Sequence, residues 1–317
     1  MEWFLGAGIL SILAAIILDV FNKFKSSRCH STICLVGKTV IVTGANTGIG
    51  YETALDFARR GARVILACRD EQKAEVAREK IIQATQNQNV VVRLIDFASL
   101  ESVREFAKET IKTEKRLDIL VNNAGVGDLP NVLTEDGLQI LMQVNYFGPV
   151  LLTLLLLDLL KKTRPSRIVN VSSLAAKWAR LEPEHLNHWS KLLIYSNSKL
   201  GNLLFTIKLA SVLGNFGVSV FSVHPGIVKT EIMRTLPRLV RKVIDFFAGI
   251  FMKSAEEGAQ TSLYVSLEQG IEHLSGRHFE ECNVVPTYST AQDPDFVNAV
   301  WNKTMELLEY ETESRNL

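Results

Sequence analysis

From residue 36 onward the chain alternates short β-branched runs with longer amphipathic stretches, and this alternation restricts the fold more than any other feature of the sequence. Parallel strands cannot be joined by a tight turn. They need a crossover of a dozen or more residues, usually a helix, so the pattern prescribes repeated βαβ units around a parallel sheet. Thr39 to Thr43, Arg63 to Cys68, Val90 to Ile95, Ile119 to Asn122, Arg167 to Ser172 and Val218 to Val223 read as six strands. Ile49 to Arg60, Glu71 to Ala84 and Ser102 to Thr113 carry helical periodicity, with Ser99 as the expected N-cap of the third. Two later helices are longer, from about Gly137 to Lys161 and from about Ile194 to Leu213. Right-handed crossovers put helices on both faces, which gives a doubly wound α/β architecture. No repeat, linker or charge block divides residues 36–317, so they read as a single domain. Thr230 to Lys253 stands apart, combining Arg234, Arg238, Arg241 and Lys242 with Leu239, Val243, Ile244, Phe246, Phe247, Ile250 and Phe251. It reads as one or two amphipathic helices outside the sheet, either packed on the body, covering a substrate as a lid, or touching a membrane.

Composition narrows the function classes. The 35 Lys and Arg against 34 Asp and Glu leave a formal net charge of +1, which predicts no broad basic face for nucleic acid. Cys29, Cys34, Cys68 and Cys282 form no CxxC pair and read as free thiols, and His185 and His188 lack a companion ligand set, so no metal site is expected. Before the body, Trp3 to Phe21 is apolar except for Ser11 and Asp19, enough to cross most of a bilayer as a helix. Residues 1–25 therefore read as a membrane anchor, with an interfacial helix as the alternative. Lys23, Lys25 and Arg28 on its C-terminal flank place the body in the cytosol by the positive-inside rule. Asn170-Val171-Ser172 and Asn302-Lys303-Thr304 match the N-glycosylation pattern, and a cytosolic body leaves both unmodified.

The segment Thr43-Gly44-Ala45-Asn46-Thr47-Gly48-Ile49-Gly50 follows the first strand and opens the first helix. Glycines there permit a tight turn and a close approach of backbone N–H groups to a pyrophosphate. At the end of the second strand, Ala67-Cys68-Arg69 offers a guanidinium fork where an acidic residue would meet a ribose hydroxyl, which favours NADP(H) over NAD(H). Asp70 follows at once, and the alternative is that it caps a helix while Arg69 is solvated. Asp96 ends the third strand, where it can reach an adenine amino group or serve as a cap.

Tyr195-Ser196-Asn197-Ser198-Lys199 puts Tyr and Lys at i and i+4, on one face of a helix. A phenol titrates near pH 10 and becomes a useful acid or base at neutral pH only with a cation nearby, which Lys199 can supply. Val171-Ser172-Ser173 ends the fifth strand, at the carboxyl edge where open parallel sheets bind ligands, and a serine hydroxyl there can hold a substrate oxygen beside the phenol. Asn122-Asn123-Ala124-Gly125 and His224-Pro225-Gly226 end the fourth and sixth strands, and Asn145-Tyr146-Phe147-Gly148 interrupts the following long helix with a polar residue that can order water.

The ordered set TGANTGIG, NNAG, VN, VSS, YSNSK and HPG resembles the short-chain dehydrogenase/reductase family over roughly residues 37–290. With the anchor, the ACRD after strand two, PSRIVNVSS and GAQTS at 258–262, it is similar to the membrane-bound retinol dehydrogenase 11/12/13 group. The resemblance implies a Rossmann-type sheet of about seven strands, the seventh near Arg277 to Phe279, and no metal. It implies that Tyr195 is the general acid/base, that Lys199 lowers its pKa and binds the nicotinamide ribose, and that Ser173 rather than Ser172 orients the substrate. Asn145 completes a water-mediated proton relay to Lys199. Gly44, Asn46, Gly48, Ile49 and Gly50 line the pyrophosphate, Asp96 the adenine, Asn123 the cofactor ribose and Thr230 the nicotinamide amide. The function so implied is hydride transfer between NADP(H) and a lipophilic alcohol or aldehyde, a retinoid first, at an endoplasmic-reticulum membrane and facing the cytosol. Steroids, isoprenoids and fatty aldehydes are alternative substrates, and a non-catalytic NADP(H) sensor or scaffold is the alternative class. The family often forms homo-oligomers, dimers or tetramers, through its long helices, which a membrane anchor can change. Gly127-Asp128-Leu129 and Trp178 to Trp189 depart from the group's pattern at positions expected to border the substrate pocket.

Overall fold

The computed structural model describes residues 27–187, 193–228 and 252–310. The expected anchor, Thr230, most of the 230–253 region, His188 and Trp189 lie outside the described residues.

The chain forms β1 (Thr39–Thr43), α1 (Gly48–Arg59), β2 (Arg63–Cys68), α2 (Glu71–Thr85), β3 (Val90–Leu94), α3 (Leu100–Thr113) and β4 (Ile119–Asn122). It continues through α4 (Ile140–Thr163), β5 (Ser166–Val171), α5 (Ile194–Leu213), β6 (Val218–His224), α6 (Ala255–Leu267), β7 (His278–Glu280), β8 (Asn283–Val285) and α7 (Pro294–Leu307). The strands make one sheet in the order β3-β2-β1-β4-β5-β6-β7-β8, parallel except for the antiparallel β7–β8 pair. The winding reverses between β1 and β4, the position where doubly wound sheets open a ligand crevice.

The sheet has eight strands, one more than the seven expected. The extra strand is the return arm of a hairpin whose two turn residues, Glu281 and Cys282, have φ of 48° and 59°. Such turns are usually announced by Asn-Gly or Asp-Gly, and Glu-Cys carries no such signal. Elsewhere the expected boundaries move by one to three residues, β5 beginning and ending one residue early and α4 starting three residues late.

Helix α4 is long and apolar enough to cross a membrane, but 83% of its apolar window is buried inside the fold, so it is a core element. A π-helical turn, Gln143–Phe147, interrupts it, with Gly148 N–H donating to Gln143 O. Pro149 follows and has no N–H to give, so the regular ladder cannot run through this point. Two apolar layers sandwich the sheet. Phe57, Ala58, Phe221, Val223 and Phe279 belong to the α1/α2/α6 side, whereas Tyr146, Leu151, Leu156, Leu203 and Leu209 belong to the α3/α4/α5 side. On the latter side α7 lies against α5, with Trp301 stacked on Phe205 and Thr304 Oγ1 bonded to Tyr146 Oη at 2.8 Å.

At the edge away from the site, Glu114 accepts from Arg63 Nε and Nη2 at 2.8 and 2.9 Å and from Arg93 Nη2 at 3.2 Å. Burial would raise the Glu114 carboxyl, but the two guanidinium groups outweigh it and hold it below the usual range. The carboxylate therefore stabilises the fold above its unfolded pKa, and the contribution is lost as pH falls through the lower folded value. Glu114→Ala leaves Arg93 buried without this partner and is expected to cost about 3 kcal/mol in urea unfolding at pH 7. The deficit should shrink in acid, where wild type loses the same pairing.

Candidate active site

Every sequence-predicted site residue within the described parts lies at the carboxyl edge of the sheet or on the helix starts that face it. At the seam where the winding reverses, Thr43 Oγ1 accepts from the N–H groups of both Asn123 and Ala124, each at 2.9 Å. Asn123 Nδ2 donates back to Thr43 O at 2.8 Å. The amide expected to line a cofactor ribose thus also clasps β1 to the end of β4. Gly44 and Gly48 take φ of 65° and 58°, which only glycine adopts freely. Gly50 faces the clasp so closely that a β-carbon would stand 2.4 Å from both Asn123 Nδ2 and Gly44 O. Thr47 caps α1 without a side-chain hydrogen bond, so the first-turn N–H groups of Ile49 and its neighbours are not claimed by their own cap.

The second strand end resolves both halves of one question. Asp70 caps α2, its carboxylate accepting from Lys73 N–H at 3.0 Å. Arg69 is exposed and makes no hydrogen bond or ion pair among the described residues. Cys68, not foreseen as part of the site, is buried beneath the glycine turn, where its sulfur meets the backbone N–H groups of Ala45 and Asn46; burial pushes its thiol up to about 11. Asp96 spends Oδ1 on Ala98 N–H at 2.9 Å, as an end-of-strand turn. These features fit a dinucleotide: a glycine cradle at a helix start for its pyrophosphate, a guanidinium at the second strand end and a carboxylate at the third for an adenine amino group.

Tyr195 and Lys199 lie on the first turns of α5. The phenol meets the Ser173 hydroxyl, which lowers its pKa, while burial raises it more, so the net direction is up. Lys199 is 3% exposed, and burial pulls its ammonium down to about 8. Its Nζ donates to Val171 O at 3.1 Å and stands 5.8 Å from the Tyr195 ring centre. The geometry separates the two serines: Ser172 is buried and donates to Lys199 O at 2.7 Å, whereas Ser173 faces the phenol. Asn145 sits in the π turn of α4, its Oδ1 accepting from Val126 N–H and its Nδ2 donating to Val126 O, both at 2.8 Å. Its Nδ2 also reaches Ser198 Oγ at 3.2 Å, which in turn donates to Tyr195 O at 2.7 Å. A β-carbon at Gly125 would stand 3.2 Å from Lys199 Nζ and 3.5 Å from Asn145 Oδ1, so this glycine keeps the space between them open. Trp178 ends the 3-10 turn Leu174–Trp178 that Ser173 caps, and is 60% exposed.

The family model for short chain dehydrogenases matches residues 38–239. The chain belongs to that family. It is an oxidoreductase family of nicotinamide cofactors, and the chain is 45% identical to human (Homo sapiens) retinol dehydrogenase 11 over 92% of each chain. It is 42% identical to dehydrogenase/reductase SDR family member 13 of Bos taurus, over 96% of this chain and 81% of the relative. Among solved structures, a protein from Mycobacterium paratuberculosis superposes with a TM-score of 0.70 at 32% identity, over 88% of this chain and 96% of that one.

Because overpacking beside backbone costs roughly 1–3 kcal/mol, Gly50→Ala is expected to weaken dinucleotide binding at least about fivefold. Quenching of tryptophan fluorescence by NADPH reads this out; unchanged affinity would remove the glycine turn from the binding site.

Proposed function

We propose that the protein is an NADP(H)-dependent oxidoreductase that moves hydride between the nicotinamide and a lipophilic alcohol or aldehyde, a retinol/retinal pair first. The contact of the Tyr195 phenol with the Ser173 hydroxyl, one helical turn from a buried Lys199, carries this reading. A module that only bound the cofactor would have no use for a proton relay, and Tyr195, Lys199, Ser173 and Asn145 together make one. The retinol dehydrogenases among the relatives support a retinoid-like substrate. Asp70 caps α2 and Arg69 is exposed, as the solvated alternative has it, so the support for a 2′-phosphate is the guanidinium standing at the end of β2, where an acidic residue would favour a ribose hydroxyl.

Gly44, Asn46, Gly48, Ile49 and Gly50 hold the pyrophosphate, Arg69 the extra phosphate, Asp96 the adenine, Asn123 a ribose and Thr230 the nicotinamide amide. When bound, the nicotinamide supplies hydride in reduction and takes it up in oxidation. Ser173 holds the substrate oxygen, and Tyr195 donates its proton to that oxygen in reduction and recovers it in oxidation. Lys199, as a cation, stabilises the phenolate left behind. Once the phenolate has taken a proton from Lys199, a water held by Asn145 in the space that Gly125 leaves open restores the proton on Lys199. Residues 3–21 anchor the chain in the endoplasmic-reticulum membrane, where such substrates partition, with the body in the cytosol.

The test is turnover of all-trans-retinal by detergent-solubilised protein. NADPH is expected to support reduction at least tenfold better than NADH, and Arg69→Ala to remove most of that preference. Tyr195→Phe should abolish turnover while leaving NADPH binding intact; a normally active variant would refute the role of the phenol. Reduction should fall as pH rises above about 8, because Lys199 then loses the proton that makes it a cation. NADPH binding without turnover of retinal would redirect the assay to steroids, isoprenoid alcohols and fatty aldehydes.

Orientation has a separate readout. Asn170 is 2% exposed within β5 and cannot carry a glycan on either side of a membrane, whereas Asn302 is exposed on α7. Asn302 is expected to stay unmodified in microsomes, and a glycan there would reverse the assigned orientation.

A further inference from the structure

The proton-transfer group leaves His224 unexplained. This residue ends β6, is 8% exposed, and accepts the N–H of Leu174 at its ring Nδ1, at 3.2 Å. The place of that bond is informative. The β5–β6 ladder continues as far as Ser172 N–H to Val223 O, at 2.8 Å. In a parallel ladder the N–H two residues further along points to the same neighbour, but here β6 gives way to Pro225 and Gly226, the latter at a φ of 85°. The His224 ring supplies the acceptor that the departing backbone does not. Leu174 directly follows Ser173 and opens the 3-10 turn, while the other bonds of this turn are local: Ser173 Oγ accepts from Ala175 N–H at 3.2 Å and Ser173 O from Ala176 N–H at 3.0 Å.

A ring nitrogen can accept only while it carries no proton, so His224 must be neutral with hydrogen on Nε2. Its surroundings keep it so. Burial pulls the imidazole down to about 4, the nearby His278 and Lys253 act in the same direction, and the Glu280 and Glu281 carboxylates oppose them. Glu280 stands in register with His224 across the β6–β7 ladder. His278, two residues below it, bonds Ser222 Oγ at 3.0 Å and lies 3.7 Å from Glu280, and Lys253 is paired with Glu281.

We infer that His224 is a positioning residue for Ser173, extending the sheet ladder by one side-chain bond so that the Ser173 hydroxyl is held against the Tyr195 phenol and the substrate oxygen. The inference rests on the oxidoreductase reading above.

Three substitutions and one double variant test it. Asn places a carbonyl oxygen near the position of ring Nδ1, Gln carries its oxygen beyond that point, and Leu offers no acceptor. His224→Leu and His224→Gln are expected to lower kcat roughly tenfold, the loss typical of a buried donor left without its partner. NADPH Kd should stay within about twofold, and His224→Asn should keep kcat within about threefold of wild type, on the same scale of a single hydrogen bond. Amide exchange at Leu174 should quicken in the Leu and Gln variants and not in the Asn variant. In a Ser173→Ala background, His224→Leu should have little further effect on kcat, because the two residues act through one hydroxyl. Equal losses in both backgrounds, or an Asn variant as slow as the Leu variant, overturn the role of His224. If the Leu variant does not fold, the Asn and Gln pair gives the same comparison with two amide side chains. A wild-type protein inactive toward the whole panel of retinoids, steroids and aldehydes overturns the oxidoreductase reading itself, and this role with it.

Discussion

The clasp between Thr43 and the Asn123-Ala124 segment is the interaction on which the rest of the site depends. Where the winding of the sheet reverses, β1 and β4 send their following chains to opposite faces, and a crevice opens between them. One threonine hydroxyl accepting two backbone N–H groups, with the Asn123 amide returning a bond to Thr43 O, fixes the width of that crevice. The same amide sets the limit on Gly50, and hence the path of the glycine turn and the direction of α1. Cys68 supports the turn from below through Ala45 and Asn46. A thiol pushed up to about 11 is a structural acceptor rather than a reactive one.

A second set of buried polar bonds runs crosswise to the strands and carries this order to the Tyr195 and Lys199 helix. Asn122 Nδ2 donates to Thr153 Oγ1 on α4 and to Asn170 Oδ1 on β5, both at 2.8 Å. Asn170 Nδ2 then donates to Thr206 Oγ1 on α5 at 2.9 Å. Apolar contact alone would let α5 slide along the sheet, whereas buried hydrogen bonds are lost if it moves, so the ladder sets its register. That register brings Lys199 to Val171 O and its own carbonyl to Ser172. The helix dictates that Tyr195 and Lys199 share a face; the ladder dictates what that face meets.

The long helices also explain how the apolar content is used. Helix α4 carries a leucine run that would suit a membrane, and it is covered by the sheet, α3 and the C-terminal segment. Helix α7 supplies Trp301 and Thr304 to the α5 side, and Tyr310 adds a bond to Leu154 O at 3.4 Å.

Much of this architecture was legible in the sequence. Strand and helix periods are local properties, so β1, β2 and β4 fall on the expected residues and the other strands within one or two. The glycine turn and the Tyr195/Lys199 pair were legible for the same reason, since both are written in a few consecutive residues. The β7–β8 hairpin was not, because Glu281 and Cys282 adopt left-handed conformations without the residues that usually mark them. Only the tertiary structure decided what Ser172, Ser173, Cys68 and His224 touch. Each of these depends on which group, distant in sequence, stands beside a side chain. Hydrogen-bond partners tens to more than a hundred residues apart leave no period in a sequence; they exist only once the sheet has brought the strand ends together.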